Sequence, residues 1–174
     1  MVNRCIWYAD RHGCGGNAVR KYPFYPAWDG KHASPVTEKL MDLCKRRWGF
    51  SNLGIYANRQ MRGSNNLSVH ATGYAVDIGY GTGTENRAKA LQAWDWFMKY
   101  TEELRICEVH DYAYGKYGRG YRCSRGIGTK GVVVYKDLAS SAGTPGGTWL
   151  HVEISNDWES PEAFEAAWRA LPKP

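Results

Sequence analysis

Within the stretch SVHATGYAVDIG, His70 and Asp77 flank Gly73. Val76 and Ile78 alternate with the aspartate, which predicts a strand whose apolar residues face a core while the carboxylate faces the other way. The glycine permits a sharp reversal that would bring the imidazole back beside the carboxylate. One nitrogen and one oxygen ligand suit zinc, and a catalytic zinc needs a third protein ligand and an open position.

The third ligand is predicted from a second alternating stretch, WLHVEI, near the C-terminus. Leu150, Val152 and Ile154 fall on one face of this predicted strand, and His151 and Glu153 fall on the other. A histidine on the polar face of a half-buried strand is free to meet a distant site. The sequence thus offers a plausible site with two nitrogen ligands and one oxygen ligand.

The pattern S-x-H-x-x-G-x-A-x-D, followed by a late strand with a single histidine, resembles the M15 peptidases. These are zinc D-Ala-D-Ala carboxypeptidases and L-alanyl-D-glutamate endopeptidases, and they include many phage endolysins. The resemblance is close over residues 53–80 and 148–155. It extends upstream to Arg59, because the family carries an arginine before its histidine motif.

The resemblance implies a role for each matched residue. The implied zinc ligands are His70, Asp77 and His151. Arg59 would hold a substrate carboxylate or carbonyl through the bidentate geometry of its guanidinium group. Ser68, which opens the motif, is predicted to be a further substrate-binding residue.

The general base is where the sequence departs from the resembled family. The family usually has Glu, Asp or His two or three residues before its last zinc histidine, and Trp149 and Thr148 stand there instead. We predict Glu153 as the catalytic base, because it shares a strand face with His151. The alternative role of Glu153 is to orient His151 as a group that contacts this ligand rather than the metal. Three further residues remain alternative bases: Glu108, His110 and Asp111.

The order of elements predicts an α+β fold, with a small antiparallel sheet carrying the zinc site and three helices flanking it. This agrees with the Hedgehog/DD-peptidase-like fold of the resembled family. Helices are expected after Ser34, Thr84 (over 85–103) and Ser160. Strands are expected over 53–57, 75–79, 104–109, 132–135 and 148–155. We expect one domain over 1–174, an irregular N-terminal wrap over 1–33 with one short strand at 5–9, and a long binding loop over 112–131.

The chain has a formal net charge of +6, which favours an acidic polymer such as a cell wall. Basic residues lack a recognised nucleic-acid motif beside them, so we predict no specific nucleic-acid partner. The five cysteines are odd in number and widely spaced, which argues against a disulfide framework. Cys5, His12 and Cys14 are retained as an alternative second metal site.

These observations predict a zinc-dependent peptidoglycan peptidase that cleaves stem or cross-link peptides, as a phage endolysin or a virion-associated lysin. The alternative is a non-catalytic wall-binding or virion structural protein that keeps the fold. No signal peptide and no apolar run of about 18 residues is visible. We therefore expect a monomer without a membrane span, held in the host cytoplasm before release to the wall or carried in a virion.

Overall fold

The structure, a computed structural model, describes residues 19–23, 25, 32–61, 63–141 and 143–174. The strand predicted over 5–9 and the alternative metal site at Cys5, His12 and Cys14 lie outside the described residues. Within them, three α-helices and a six-stranded antiparallel sheet confirm the predicted α+β class. No helix among the described residues is both long enough and apolar enough to cross a membrane.

The helices are α1 (Pro35–Trp48), α2 (Thr84–Lys99) and α3 (Pro161–Ala170). The strands are β1 (Ser51–Gly54), β2 (Ala75–Gly79), β3 (Ile106–Asp111), β4 (Arg119–Arg122), β5 (Val132–Val134) and β6 (Trp149–Ile154). Their order in the sheet is β1-β2-β6-β3-β4-β5, and each neighbouring pair is antiparallel. The strand that carries His151 therefore lies between β2 and β3.

The helix ends follow the local chemistry that the sequence predicts. Ser34 occupies the cap position of α1, and Gly49 ends that helix in the left-handed conformation (φ 78°). The Ser160 hydroxyl accepts a hydrogen bond from the Ala163 N–H at the start of α3. In α2 the cap is Gly83 rather than the predicted Thr84, and the helix ends at Lys99, earlier than predicted.

The two faces of the sheet differ as the alternation predicts. Val76, Ile78, Leu150 and Val152 are fully buried on one face, where they join one hydrophobic cluster with residues of all three helices. Each such side chain contributes roughly 1.5–3 kcal/mol by leaving water. The register of the sheet is thereby fixed, since a slip by one residue would turn these side chains toward solvent. The opposite face carries the polar residues of the predicted site.

The predicted loop over 112–131 is wrong in its middle, because β4 lies there together with two short 3-10 turns. This strand is polar and contains Gly120, so it has no apolar alternation for sequence reasoning to detect. Its two arginines instead pair across to β3: Arg119 with Asp111 and Arg122 with Glu108. Cross-strand ion pairs of this kind can stabilise a strand whose residues have a low intrinsic propensity for β structure.

Candidate metal centre

Three neighbouring strands align the central side chains of the site. Asp77 of β2 is directly opposite His151 of β6, which in turn is directly opposite His110 of β3. Residues opposite each other in an antiparallel sheet share a face, so these three side chains form one row. The two predicted ligands from remote parts of the sequence are thus brought together by strand register.

His70 reaches this row from a 3-10 turn, Val69–Thr72, which precedes β2. The turn ends at Gly73, whose φ of 79° lies in the left-handed region. A Cβ at this position would lie 2.7 Å from the backbone nitrogen of Ser34. Both the conformation and the close approach therefore require glycine, and the predicted reversal is confirmed.

The three predicted ligands offer donor atoms that all lie within 4.8 Å of one another. His70 Nε2 is 3.2 Å from His151 Nδ1 and 3.4 Å from Asp77 Oδ2, and His151 Nδ1 is 3.0 Å from Asp77 Oδ1. These spacings are those of ligand atoms around a common centre. The group could hold a metal ion.

The far nitrogen of each histidine is anchored by an acceptor. His70 Nδ1 donates to the Ile55 carbonyl at 2.8 Å, and His151 Nε2 donates to Glu153 Oε1 at 3.0 Å. Such acceptors fix the tautomer and the ring orientation of metal-binding histidines. The other nitrogen of each ring faces Asp77, and it would bind a metal through its lone pair once it has lost its proton. The residues present therefore fit a metal with three protein ligands and an open position.

The electrostatics of the group are those of a concentrated acid–imidazole cluster. Burial raises the pKa of Asp77, but hydrogen bonds from His151 and His70 outweigh it and hold that pKa well below its usual range. Burial lowers the pKa of His151, but its bonds to Asp77 and Glu153 outweigh burial and raise that pKa to about 10. A metal ion that binds His151 would displace the proton of the nitrogen that faces Asp77.

A cleft of about 660 Å³ opens above the three ligands. Arg59 and Ser68, both predicted to bind substrate, line it together with Tyr112 and Trp149. The Arg59 side chain is exposed and makes a long hydrogen bond, at 3.5 Å, to the carbonyl of Gln60. The backbone of Ser68 donates to the Arg59 carbonyl at 3.0 Å, which ties the two residues together at the rim.

A second polar cluster occupies the same face on β3 and β4. His110 Nε2 lies 2.6 Å from Glu108 Oε1, and His110 Nδ1 lies 2.6 Å from the Tyr135 hydroxyl. Arg122 donates two hydrogen bonds to Glu108 at 2.8 and 3.0 Å. Burial raises the pKa of Glu108, but its contacts with His110 and Arg122 outweigh it and lower that pKa to about 2. Sequence reasoning named two of these residues but missed Tyr135 and Arg122, which give no local signal.

Gly120 makes room for this cluster. A Cβ at Gly120 would lie 2.0 Å from the Tyr135 hydroxyl and 2.6 Å from His110 Nδ1. Real Cβ atoms essentially never lie within 3.0 Å of such neighbours, so a side chain here would push the two rings apart. Gly120, which makes β4 hard to predict from the sequence, therefore leaves the space in which Tyr135 contacts His110.

Asp111 lies on the opposite face from the candidate site. Its carboxylate is fully buried and accepts hydrogen bonds from Arg87 at 2.7 and 2.8 Å and from Arg119 at 3.1 Å. It is directly opposite Leu150, a core residue of β6. Because it faces the helices rather than the cleft, Asp111 cannot reach a water molecule beside the three ligands.

Comparison of the chain with protein-family models, with curated proteins and with solved structures finds no match.

Proposed function

We propose that this protein is a zinc-dependent peptidase that cleaves stem or cross-link peptides of bacterial peptidoglycan. The observation that carries the proposal is the convergence of His70, Asp77 and His151, with donor atoms within 4.8 Å, at the floor of an open cleft. Two imidazoles and one carboxylate form a ligand set typical of catalytic zinc. The resemblance of these residues to the M15 motif is the reason for proposing this substrate class.

Bound at these ligands, zinc would supply Lewis-acid polarisation of a peptide carbonyl and a lowered pKa for an attacking water molecule. The protein's own part is to orient the peptide. Arg59 is exposed at the rim and weakly bonded, so its guanidinium group is available to a substrate carboxylate. Ser68 lies beside it and is proposed to contact the same part of the substrate. Holding the stem in this way converts a loose encounter into an aligned attack.

Proton transfer is assigned to the pair of His110 and Glu108. Glu153, which the sequence favours as the base, has one carboxylate oxygen bonded to His151 and the other bonded to Tyr22. We therefore propose that Glu153 orients its ligand rather than accepting the proton. His110 lines the cleft one strand away, with its ring centroid 5.6 Å from that of His151. Glu108 is bonded to Nε2 of His110 and Tyr135 to Nδ1, so in this proposal the tyrosine hydroxyl gives up Nδ1 before the imidazole accepts a proton.

The positive charge of the chain supports a wall polymer as its target, because acidic wall polymers would attract a protein of net charge +6. A lytic enzyme released from the host cytoplasm, or one carried in a virion, meets such a polymer as its working surface. The proposal therefore includes both locations, the host cytoplasm before release and the virion, together with a monomeric state.

Mass analysis of purified sacculi incubated with the zinc-loaded protein tests the function. We expect new peptide fragments with free amino groups, which also identify the bond that is cut. The Asp77→Asn variant is the matched negative, because it removes a ligand charge with little change in shape. If the wall peptides stay intact with a folded, zinc-loaded protein, the peptidase is refuted and the non-catalytic wall-binding alternative is favoured. The same alternative is supported by the sequence, since Thr148 and Trp149 stand where the resembled family has an acidic residue or a histidine.

A further inference from the structure

The segment before α1 places a tyrosine against the candidate metal centre. The Tyr22 hydroxyl donates a hydrogen bond to Glu153 Oε2, while Glu153 Oε1 accepts from His151 Nε2. A continuous chain of contacts thus runs from Tyr22 through Glu153 to a proposed metal ligand. Tyr22 also lines the cleft.

Neighbouring side chains hold the Tyr22 ring in place. The Arg122 guanidinium lies 4.8 Å from the ring centroid, and this arginine is itself fixed by its two bonds to Glu108. The ring of Tyr25 packs edge-on against Tyr22 with centroids 5.9 Å apart. The hydroxyl therefore does not reach Glu153 as a loose surface group, because its ring is positioned from two sides.

Glu153 depends on these contacts because it is only 5% exposed. A buried carboxylate needs a partner for each oxygen, and water has little access here to replace a lost one. Tyr22 satisfies the oxygen that His151 does not. Without the Tyr22 hydroxyl, that oxygen would keep only the distant Tyr25 hydroxyl at 3.5 Å, so the carboxylate would shift toward it and change the direction of the His151 ring.

We propose that Tyr22 is a positioning residue of the metal centre, which acts through Glu153 to fix His151 for metal binding. This inference rests on the metal centre of the proposed function. It makes Tyr22, which belongs to the stretch predicted as an irregular N-terminal wrap, part of the site. Groups bonded directly to a metal ligand, as Glu153 is to His151, typically change metal affinity by about 10–100-fold when they are removed, and Tyr22 acts one bond further out, at the lower end of that range.

The test measures zinc affinity by competition with a chromophoric chelator, without any reference to hydrolysis. We expect Tyr22→Phe to weaken zinc binding by about 10-fold, because the ring stays and only the hydroxyl is lost. Tyr25→Phe is the matched control. The Tyr25 hydroxyl approaches the same oxygen of Glu153, but at 3.5 Å, and its ring stacks on Tyr74. We expect that variant to bind zinc like the wild type.

A double-mutant comparison separates positioning from a general structural effect. Glu153→Gln should weaken zinc binding on its own, and adding Tyr22→Phe to it should cause little further loss, since the tyrosine acts through this carboxylate. Equal affinity of Tyr22→Phe and the wild type would overturn the inference, as would fully additive losses. If the wild-type protein itself binds no zinc, the metal centre fails as a whole, which is a different result from a tyrosine that has no effect.

Discussion

The buried ion cluster around Asp111 gives the sharpest test of how the structure divides catalytic from structural acids. Asp111→Asn keeps the shape of the side chain but removes a charge that accepts three hydrogen bonds from Arg87 and Arg119. Breaking a buried pair by removing one partner costs about 3–5 kcal/mol, and the lower end applies because asparagine keeps one acceptor. With a urea m-value of about 2 kcal/mol per M, a loss of 3 kcal/mol lowers the unfolding midpoint by about 1.5 M.

The measurement is urea unfolding of the zinc-free protein, so that metal binding does not add to stability. Asp42→Asn is the control, because the pair of Asp42 and Arg46 on α1 is largely exposed and should be worth about 0.5 kcal/mol or less. Zinc affinity of the Asp111 variant should stay near that of the wild type. A variant of wild-type stability that has lost hydrolysis would refute the argument, since it would make Asp111 a catalytic acid despite its placement on the helix face.

Three further outcomes follow from the site. The pKa of Glu108 is lowered from 4.5 to about 2, so its ionised form contributes stability that is fully present above about pH 4.5 and is lost as the pH falls toward 2. In the wild type this group should therefore cost the protein about 3 kcal/mol of unfolding free energy between these pH values. Denaturant unfolding at several pH values should show that Glu108→Gln lacks this part of the pH dependence. Gly120→Ala should displace Tyr135 and destabilise the fold by about 1–3 kcal/mol, seen as a lower melting temperature, and an unchanged melting temperature would contradict the tight fit. Arg59→Lys should raise KM for a soluble stem peptide by about 10-fold with a smaller change in kcat, because the ammonium group cannot bind a carboxylate in bidentate fashion.

Residues whose roles depend on local alternation were predictable from the sequence. The burial of Leu150 and Val152 forces His151 to the opposite face, and the glycine before Asp77 forces the turn that returns His70. Side chains that depend on pairing between remote segments were not predictable. Tyr22 meets Glu153 only because the sheet brings its face under the segment before α1, and no spacing in the sequence marks that contact.

The same limit explains the missed strand and the general base. β4 is held by ion pairs to β3 rather than by an apolar stripe, so its existence depends on a partner that the local sequence does not name. The three alternative bases lay on β3, and nothing in the sequence indicated which side of the sheet each would face. Register then placed Glu108 and His110 at the cleft and Asp111 among the helices.

The position of β6 has a consequence for the protein during its synthesis. The strand β6 is translated after the other five, and in the sheet it is the one element that joins β1 and β2 to β3, β4 and β5. Before Trp149–Ile154 is synthesised, β2 and β3 have no strand between them and the residue proposed as the third ligand is absent. A chain that stops before β6 would therefore lack both the proposed ligand His151 and the strand that joins the two parts of the sheet.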